Sequence, residues 1–378
     1  MTNQKQDYNS AKPNTTNNKV QQEVGRNEGQ VLGQMNGGQT YFVSGDLYQN
    51  GKVSYPNISS AEVPLPKKTV SIPPLLPYLA NRSDQEYQLN QKIKKYLQQR
   101  SNNPLICIFH GDEYQCHEKF FERLQKKYLP RMLNLDENQS VIRNYDLPYP
   151  SGVTKSEEFS ERLCFKLAEE VEKDTSASTA EINQTFSQYP CPIIIKTDLL
   201  TKEWEDKRAK PLDNLLNFWD NWPQLALNQQ LIVCISVKYE FKEDRNNKFS
   251  WWSKILDWWS KILEFLRKTQ DINKLLKCYQ YSKLNETIGE QLVKVNFSQF
   301  ENLDGVVLSE LSGISKKDVQ DWAKARDTKE YIGEERLQQL INHSRDLFDN
   351  RDTISMEDLA NELRNILEKL TSISEYSI

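Results

Sequence analysis

Three apolar runs constrain this chain most: Leu105-Ile106-Cys107-Ile108-Phe109, Ile193-Ile194-Ile195 and Leu231-Ile232-Val233-Cys234-Ile235-Ser236-Val237, the last interrupted by a single serine. A strand with one wet face alternates apolar and polar residues, so runs of this kind belong to strands covered on both faces. Helical periodicity occupies the stretches between and before them, at Ser83 to Gln99, Glu118 to Lys127, Phe159 to Glu172 and Leu212 to Trp222. Two further strands are expected at Val141 to Tyr145 and Leu292 to Phe297. Strands alternating with helices predict an α/β fold, a mainly parallel β-sheet sandwiched by helices. From about Asp318 only helical periodicity remains, at Val319 to Lys324, Glu334 to Phe348 and Met356 to Leu370, which predicts a C-terminal helical appendage.

Composition divides the chain around that domain. Residues 1–28 are Asn, Gln, Thr and Lys with almost nothing apolar, a tail expected to be disordered. Residues 29–53 are rich in Gly and Gln, residues 54–77 carry Pro56, Pro64, Pro66, Pro73, Pro74 and Pro77 and read as a linker, 78–300 form the α/β domain and 301–378 the helical region. The six cysteines are scattered without a C-x-x-C pair, so neither a disulfide framework nor a zinc cage is indicated. Net charge is only −4 with both signs interspersed, and neither a signal peptide nor a membrane span is read from the sequence. The expected address is cytoplasmic, with no nucleic acid and no integral membrane among the partners.

A P-loop runs from a strand through G-x-x-x-x-G-K-[ST] into a helix, its backbone amides and lysine holding phosphates and its hydroxyl holding magnesium. Here the first strand leads into His110-Gly111-Asp112-Glu113-Tyr114-Gln115-Cys116-His117-Glu118. Counted from Gly111, the second glycine is Cys116, the lysine is His117 and the hydroxyl residue is Glu118. Each missing charged hydrogen bond would forgo roughly 1.5–3 kcal/mol, and Asp112, Glu113 and Glu118 put carboxylates where a polyanion would sit. The would-be metal-binding strand runs through Ile195 into Lys196-Thr197-Asp198, so a cation follows it directly and Asp198 comes two residues late. A strand, a loop and a helix with a turn glycine are also common to any α/β protein.

Several ordered stretches resemble the inactive STAND family, relatives of signal-transducing P-loop ATPases whose nucleotide motifs have decayed. They are LICIFHGDEYQCHE from Leu105 to Glu118, the segment Leu212 to Tyr239, the segment Val307 to Trp322 and Met356-Glu357-Asp358-Leu359-Ala360. The resemblance spans roughly Pro77 to Glu368 and implies a degenerate P-loop NTPase-like fold. It further implies a sensing or relay role in bacterial conflict and regulatory systems, acting on effector or receptor proteins, with no catalytic residue and no cofactor.

Two segments point to partner contacts. Trp251-Trp252-Ser253-Lys254-Ile255-Leu256-Asp257 is followed at once by Trp258-Trp259-Ser260-Lys261-Ile262-Leu263-Glu264, a unit written twice. On a helix it would present an apolar face carrying Trp251, Trp252, Trp258 and Trp259, suited to the domain's own core, to a protein partner or to a bilayer interface. The tract from Gln30 to Val43, with Val31, Leu32, Met35, Tyr41 and Phe42, is uncharged and proline-free. It meets the composition of a homotypic cross-β segment and is similar to the short amyloid signalling motifs of bacterial and fungal immune proteins, those like the RIP homotypic interaction motif included, without their apolar-Gln-apolar-Gly core. Asn36-Gly37-Gly38 equally allows a hairpin turn, and a plain linker stays open.

Rival functions start from the same residues. A working nucleotide switch would need His117 to replace the lysine and Asp198 the metal carboxylate. A caspase-like peptidase would use His110 with a cysteine just past a later strand, but Cys191 precedes its strand and Cys234 lies inside one. The cations Lys316, Lys317, Lys324, Arg326 and Lys329 alternate with acids and read as a solvated helix surface.

Overall fold

The structure, a computed structural model, describes residues 31–34, 40–43, 71–135, 142–171, 174–189, 191–206, 210–240, 272–348 and 351–372. The chain divides into two units, Met1–Lys68 and Thr69–Ile378. In the first, β1 (Val31–Gln34) pairs antiparallel with β2 (Thr40–Val43), Val31 opposite Val43 and Gln34 opposite Thr40. This is the hairpin alternative for the tract; Met35 and the tryptophan repeat with Trp251, Trp252, Trp258 and Trp259 lie outside the described residues.

The second unit holds a five-stranded sheet of β3 (Leu105–Asp112), β4 (Arg143–Asp146), β5 (Ile193–Leu200), β6 (Leu231–Tyr239) and β7 (Asp304–Val307). All pairings are parallel and the order across the sheet is β4-β5-β6-β3-β7. The apolar runs are the three central strands, as two-sided burial demands. Alternate residues of β3 serve different cores: Leu105, Cys107 and Phe109 face one layer, Ile106 and Ile108 the other.

The first layer is α1 (Ser83–Gln99), α2 (His117–Arg123), a π-helical turn (Leu124–Tyr128) and α3 (Leu129–Met132), joined through Leu89, Ile93, Phe120, Phe121, Leu124 and Leu129. The second comprises α4 (Ser156–Glu170), α5 (Thr179–Ser187), α6 (Pro211–Asp220) and α7 (Ile272–Val293), with Phe159, Phe186, Trp219 and Ile288 at its centre. Helix α5 was not expected from periodicity, yet its Ser178 and Glu181 form a capping box.

One expected strand is wrong. Leu292 and Val293 end α7, and Phe297–Gln299 is a 3-10 turn. Leu292 is the buried side of a helix end while Val293 faces solvent, and the last sheet strand is instead β7, whose Gly305 leaves room for the Phe297 ring, since a Cβ at that glycine would come within 2.1 Å of it.

Beyond the sheet come β8 (Ile314–Ser315), α8 (Lys316–Lys324), α9 (Arg326–Ile332), α10 (Glu334–Asp346), β9 (Thr353–Ile354) and α11 (Met356–Ser372). The short pair β8 and β9 was hidden by the helical periodicity around it. These helices bury a third core around Val319, Trp322, Leu340, Leu359 and Leu363, and the end of the proline-rich stretch joins it through Leu76 and Ala80. The Trp322 indole N–H donates to the Leu76 carbonyl at 2.8 Å.

Candidate functional site

In open α/β sheets ligands sit at the carboxyl ends of the strands, and here the loop after β3 reaches that edge. Gly111 has φ 158°, and a Cβ there would lie 2.7 Å from the Leu311 carbonyl oxygen, so both backbone and space require glycine. Asp112 Oδ1 accepts from the Tyr114 amide at 2.8 Å and starts a single 3-10 turn, Glu113–Gln115. Cys116 then takes φ 54° and ψ 56°, the left-handed conformation natural to the glycine it replaces.

His117 is fully buried and turned inward. Its Nε2 lies 3.2 Å from the carbonyl oxygens of both Gly111 and Asp112, and its Nδ1 lies 3.0 Å from Ser236 Oγ on β6. Two carbonyls on one nitrogen fix the proton at Nε2, leaving Nδ1 to accept from the serine. Burial, then the Lys238 ammonium, pull this imidazole down to about 4, so it is neutral near pH 7. A phosphate cradle presents amide N–H groups to the anion; this loop presents carbonyl oxygens, and its own imidazole uses them.

Glu118 and Asp198 share two lysines. Lys238 contacts Glu118 and lies 3.1 Å from Asp198, while Lys196 lies 3.2 Å from Asp198 and 3.8 Å from Glu118. Both carboxyls sit below their ordinary range because the ammonium groups outweigh the effect of burial. Lys196, Asp198, Ser236 and Lys238 therefore lie beside one another under the start of α2, and the Lys196 ammonium also rests 5.7 Å from the Phe121 ring. Ile195 is buried in the opposite core.

A buried arginine closes the loop from above. Arg82 Nη1 donates to the Ser312 carbonyl at 2.8 Å and Nη2 to Gln115 Oε1 at 3.0 Å, while Gln115 Nε2 reaches Asp112 at 3.3 Å. Asn81 and Arg82 both have positive φ, 51° and 90°. Arg123 on α2 holds that bend by donating to the Asn81 carbonyl at 2.7 Å, and pairs with Glu86 at 2.6 Å. Burial lifts the Glu86 carboxyl to about 7 despite Arg123.

The loop positions Gly111, Cys116, His117 and Glu118 and the strand positions Lys196 and Asp198 thus come together at one edge. Arg82, Gln115, Ser236 and Lys238 complete the arrangement. Lys238 had a sequence signal, following an apolar run as Lys196 does, though both lie within their strands rather than after them because β5 continues to Leu200 and β6 to Tyr239; nothing in the local pattern marks Arg82. The peptidase geometry is not formed: His110 Nδ1 meets the Tyr239 hydroxyl at 2.8 Å, and Cys234 is buried opposite Cys107 in the core. Among the C-terminal cations, Arg326 pairs with Glu330 and Lys329 with Glu334. Among the described residues no helix is long and apolar enough to cross a membrane.

No curated protein matches the chain. Solved structures that align with it include the Aeropyrum pernix ORC2 protein in ADPNP and ADP complexes, at 11% identity and TM-score 0.32 over 80% of this chain and 70% of that one. A Thermotoga maritima RuvB mutant aligns at 9% identity and TM-score 0.26, over 76% and 70%. The Aeropyrum pernix ORC1 protein in complex with DNA aligns at 11% and 0.32, over 79% and 66%. Likeness at this level carries no residue role or activity across. The family model described as inactive STAND matches residues 77–237, so that segment is similar to the inactive STAND family.

Proposed function

We propose that this protein is a non-catalytic signalling or scaffold module of a bacterial conflict or regulatory system. It works in the cytoplasm through contacts with effector or receptor proteins, and it hydrolyses no nucleotide. The observation that carries this reading is His117, buried with its Nε2 on the carbonyls of Gly111 and Asp112, in the place a P-loop gives to the phosphate-holding lysine. The quartet of Lys196, Lys238, Glu118 and Asp198 supports it, since the two lysines already have carboxylate partners. The uncharged β1–β2 hairpin supports a further part of the proposal, that copies of the chain associate through the N-terminal tract.

The test is thermal unfolding of the full chain with Mg-ATP, GTP or ADP. A ligand at a hundred times its dissociation constant adds about 2.7 kcal/mol, a shift of several degrees. The expected result is no shift at millimolar nucleotide. A rise that disappears in the His117→Ala variant would instead make the protein a nucleotide switch.

A further inference from the structure

On the outer side of the first helical layer, a groove of about 490 Å³ runs between α1 and the stretch formed by the π-helical turn and α3. Leu97, Tyr128 and Met132 line it, each resting on the core beneath yet only partly buried. Lys94 and Arg131 stand exposed on opposite walls, and the rest of the lining is amide side chains, with no carboxylate. This contrasts with the lysines nearby: Lys92, Lys119, Lys126 and Lys127 each meet an acid.

The wall has an unusual backbone. Pro130 has no N–H to return to the Lys126 carbonyl, and the helix widens so that the Leu129 amide bonds the Leu124 carbonyl five residues back. Widened turns of this kind recur at functional sites. Here Tyr128 lines the groove while its hydroxyl accepts from Arg123 Nη2 at 3.2 Å. The groove is thereby tied to the Arg123 and Glu86 pair that holds the bend at Arg82.

We infer that this groove docks an amphipathic protein segment whose apolar side chains settle on Leu97, Tyr128 and Met132 and whose carboxylates meet Lys94 and Arg131. The inference rests on the interaction-module reading and names the partner's chemistry. An apolar floor takes the inner face of a short helix, and a rim of one sign selects its partner's charge and orientation. A nucleic acid is disfavoured, because two cations neutralise too few phosphates for useful affinity at physiological salt.

The experiment is selection of a random dodecamer peptide library on the full chain, followed by labelled titration of an enriched peptide. The library should yield sequences with Asp or Glu flanking aliphatic or aromatic residues. The Lys94→Glu/Arg131→Glu double variant should weaken binding of such a peptide by at least about tenfold. Both positions are exposed, and an unchanged thermal midpoint shows that the variant remains folded. No enrichment, enrichment of basic sequences, or binding indifferent to the charge reversal overturns the inference. The interaction-module reading fails by a different result, the nucleotide-dependent shift described above.

Discussion

His117 carries its proton on Nε2 because two carbonyls share that nitrogen, and burial and the nearby Lys238 ammonium oppose a second proton on the ring. A free imidazole titrates near 6.5, whereas the buried one holds off until about 4. Between those values the unfolded chain takes up a proton that the folded chain refuses. The stability that the neutral ring contributes is therefore complete above about pH 6.5 and is lost as pH falls toward 4, on the order of 3 kcal/mol. Glu86 works in the opposite direction, since its folded carboxyl gains a proton from about 7 downward, before the unfolded one does. That contribution cancels when His117→Asn is compared with the parent protein. Urea midpoints from pH 7.5 to 4.5 should converge as the pH falls, and parallel curves would refute the assignment. The loss of the motif residues at this site was legible as identities, Cys116 for glycine and His117 for lysine. That the imidazole folds back onto the loop's own carbonyls was not, because the loop's left-handed turn at Cys116 decides it.

At the scale of elements, β5, β6 and α2 are joined by charges that differ in exposure. Glu118 keeps 58% of its side chain in solvent, Lys238 only 14%. Glu118→Gln should therefore cost less than about 1 kcal/mol, as exposed pairs do. Lys238→Met removes a bond to each carboxylate and leaves Asp198 to Lys196 alone, an expected loss of about 1.5–3 kcal/mol. Denaturant unfolding of the two variants tests the order; equal losses would show that the quartet does not tie α2 to the sheet. The central strands were legible because two-sided burial writes itself as nearly unbroken apolar sequence. Strand β7 was not, since Asp304 and Gly305 carry no such mark and the glycine answers to Phe297, which only the fold brings near. Helix α5 was not read from periodicity, and the Ser178 and Glu181 capping box that begins it is the signal that was missed.

At the scale of the whole unit, Arg82 links what the sequence separates: the loop after β3, through Gln115, and the start of the C-terminal helices, through Ser312. Two adjacent left-handed residues are costly, about 1–3 kcal/mol each, and persist only where the surroundings hold them. The bridge thus holds loop and helices together. In Arg82→Gln, amide exchange should quicken in Lys316–Lys324 and Met356–Ser372 while β3, β5 and β6 stay protected. Exchange rising evenly across the sheet and helices would mean that Arg82 serves general stability only.

Strand order also governs when this edge can exist. Leu105 on β3 pairs with Ile232 on one side and Asp304 on the other. Ribosomes deliver those partners late, so the nascent chain must carry this apolar strand without neighbours through much of synthesis. Long-range pairing of this kind slows folding and exposes sticky surface in the meantime. Production of this protein is thus expected to depend on chaperone supply, and fragments ending before β7 to be captured by holdases.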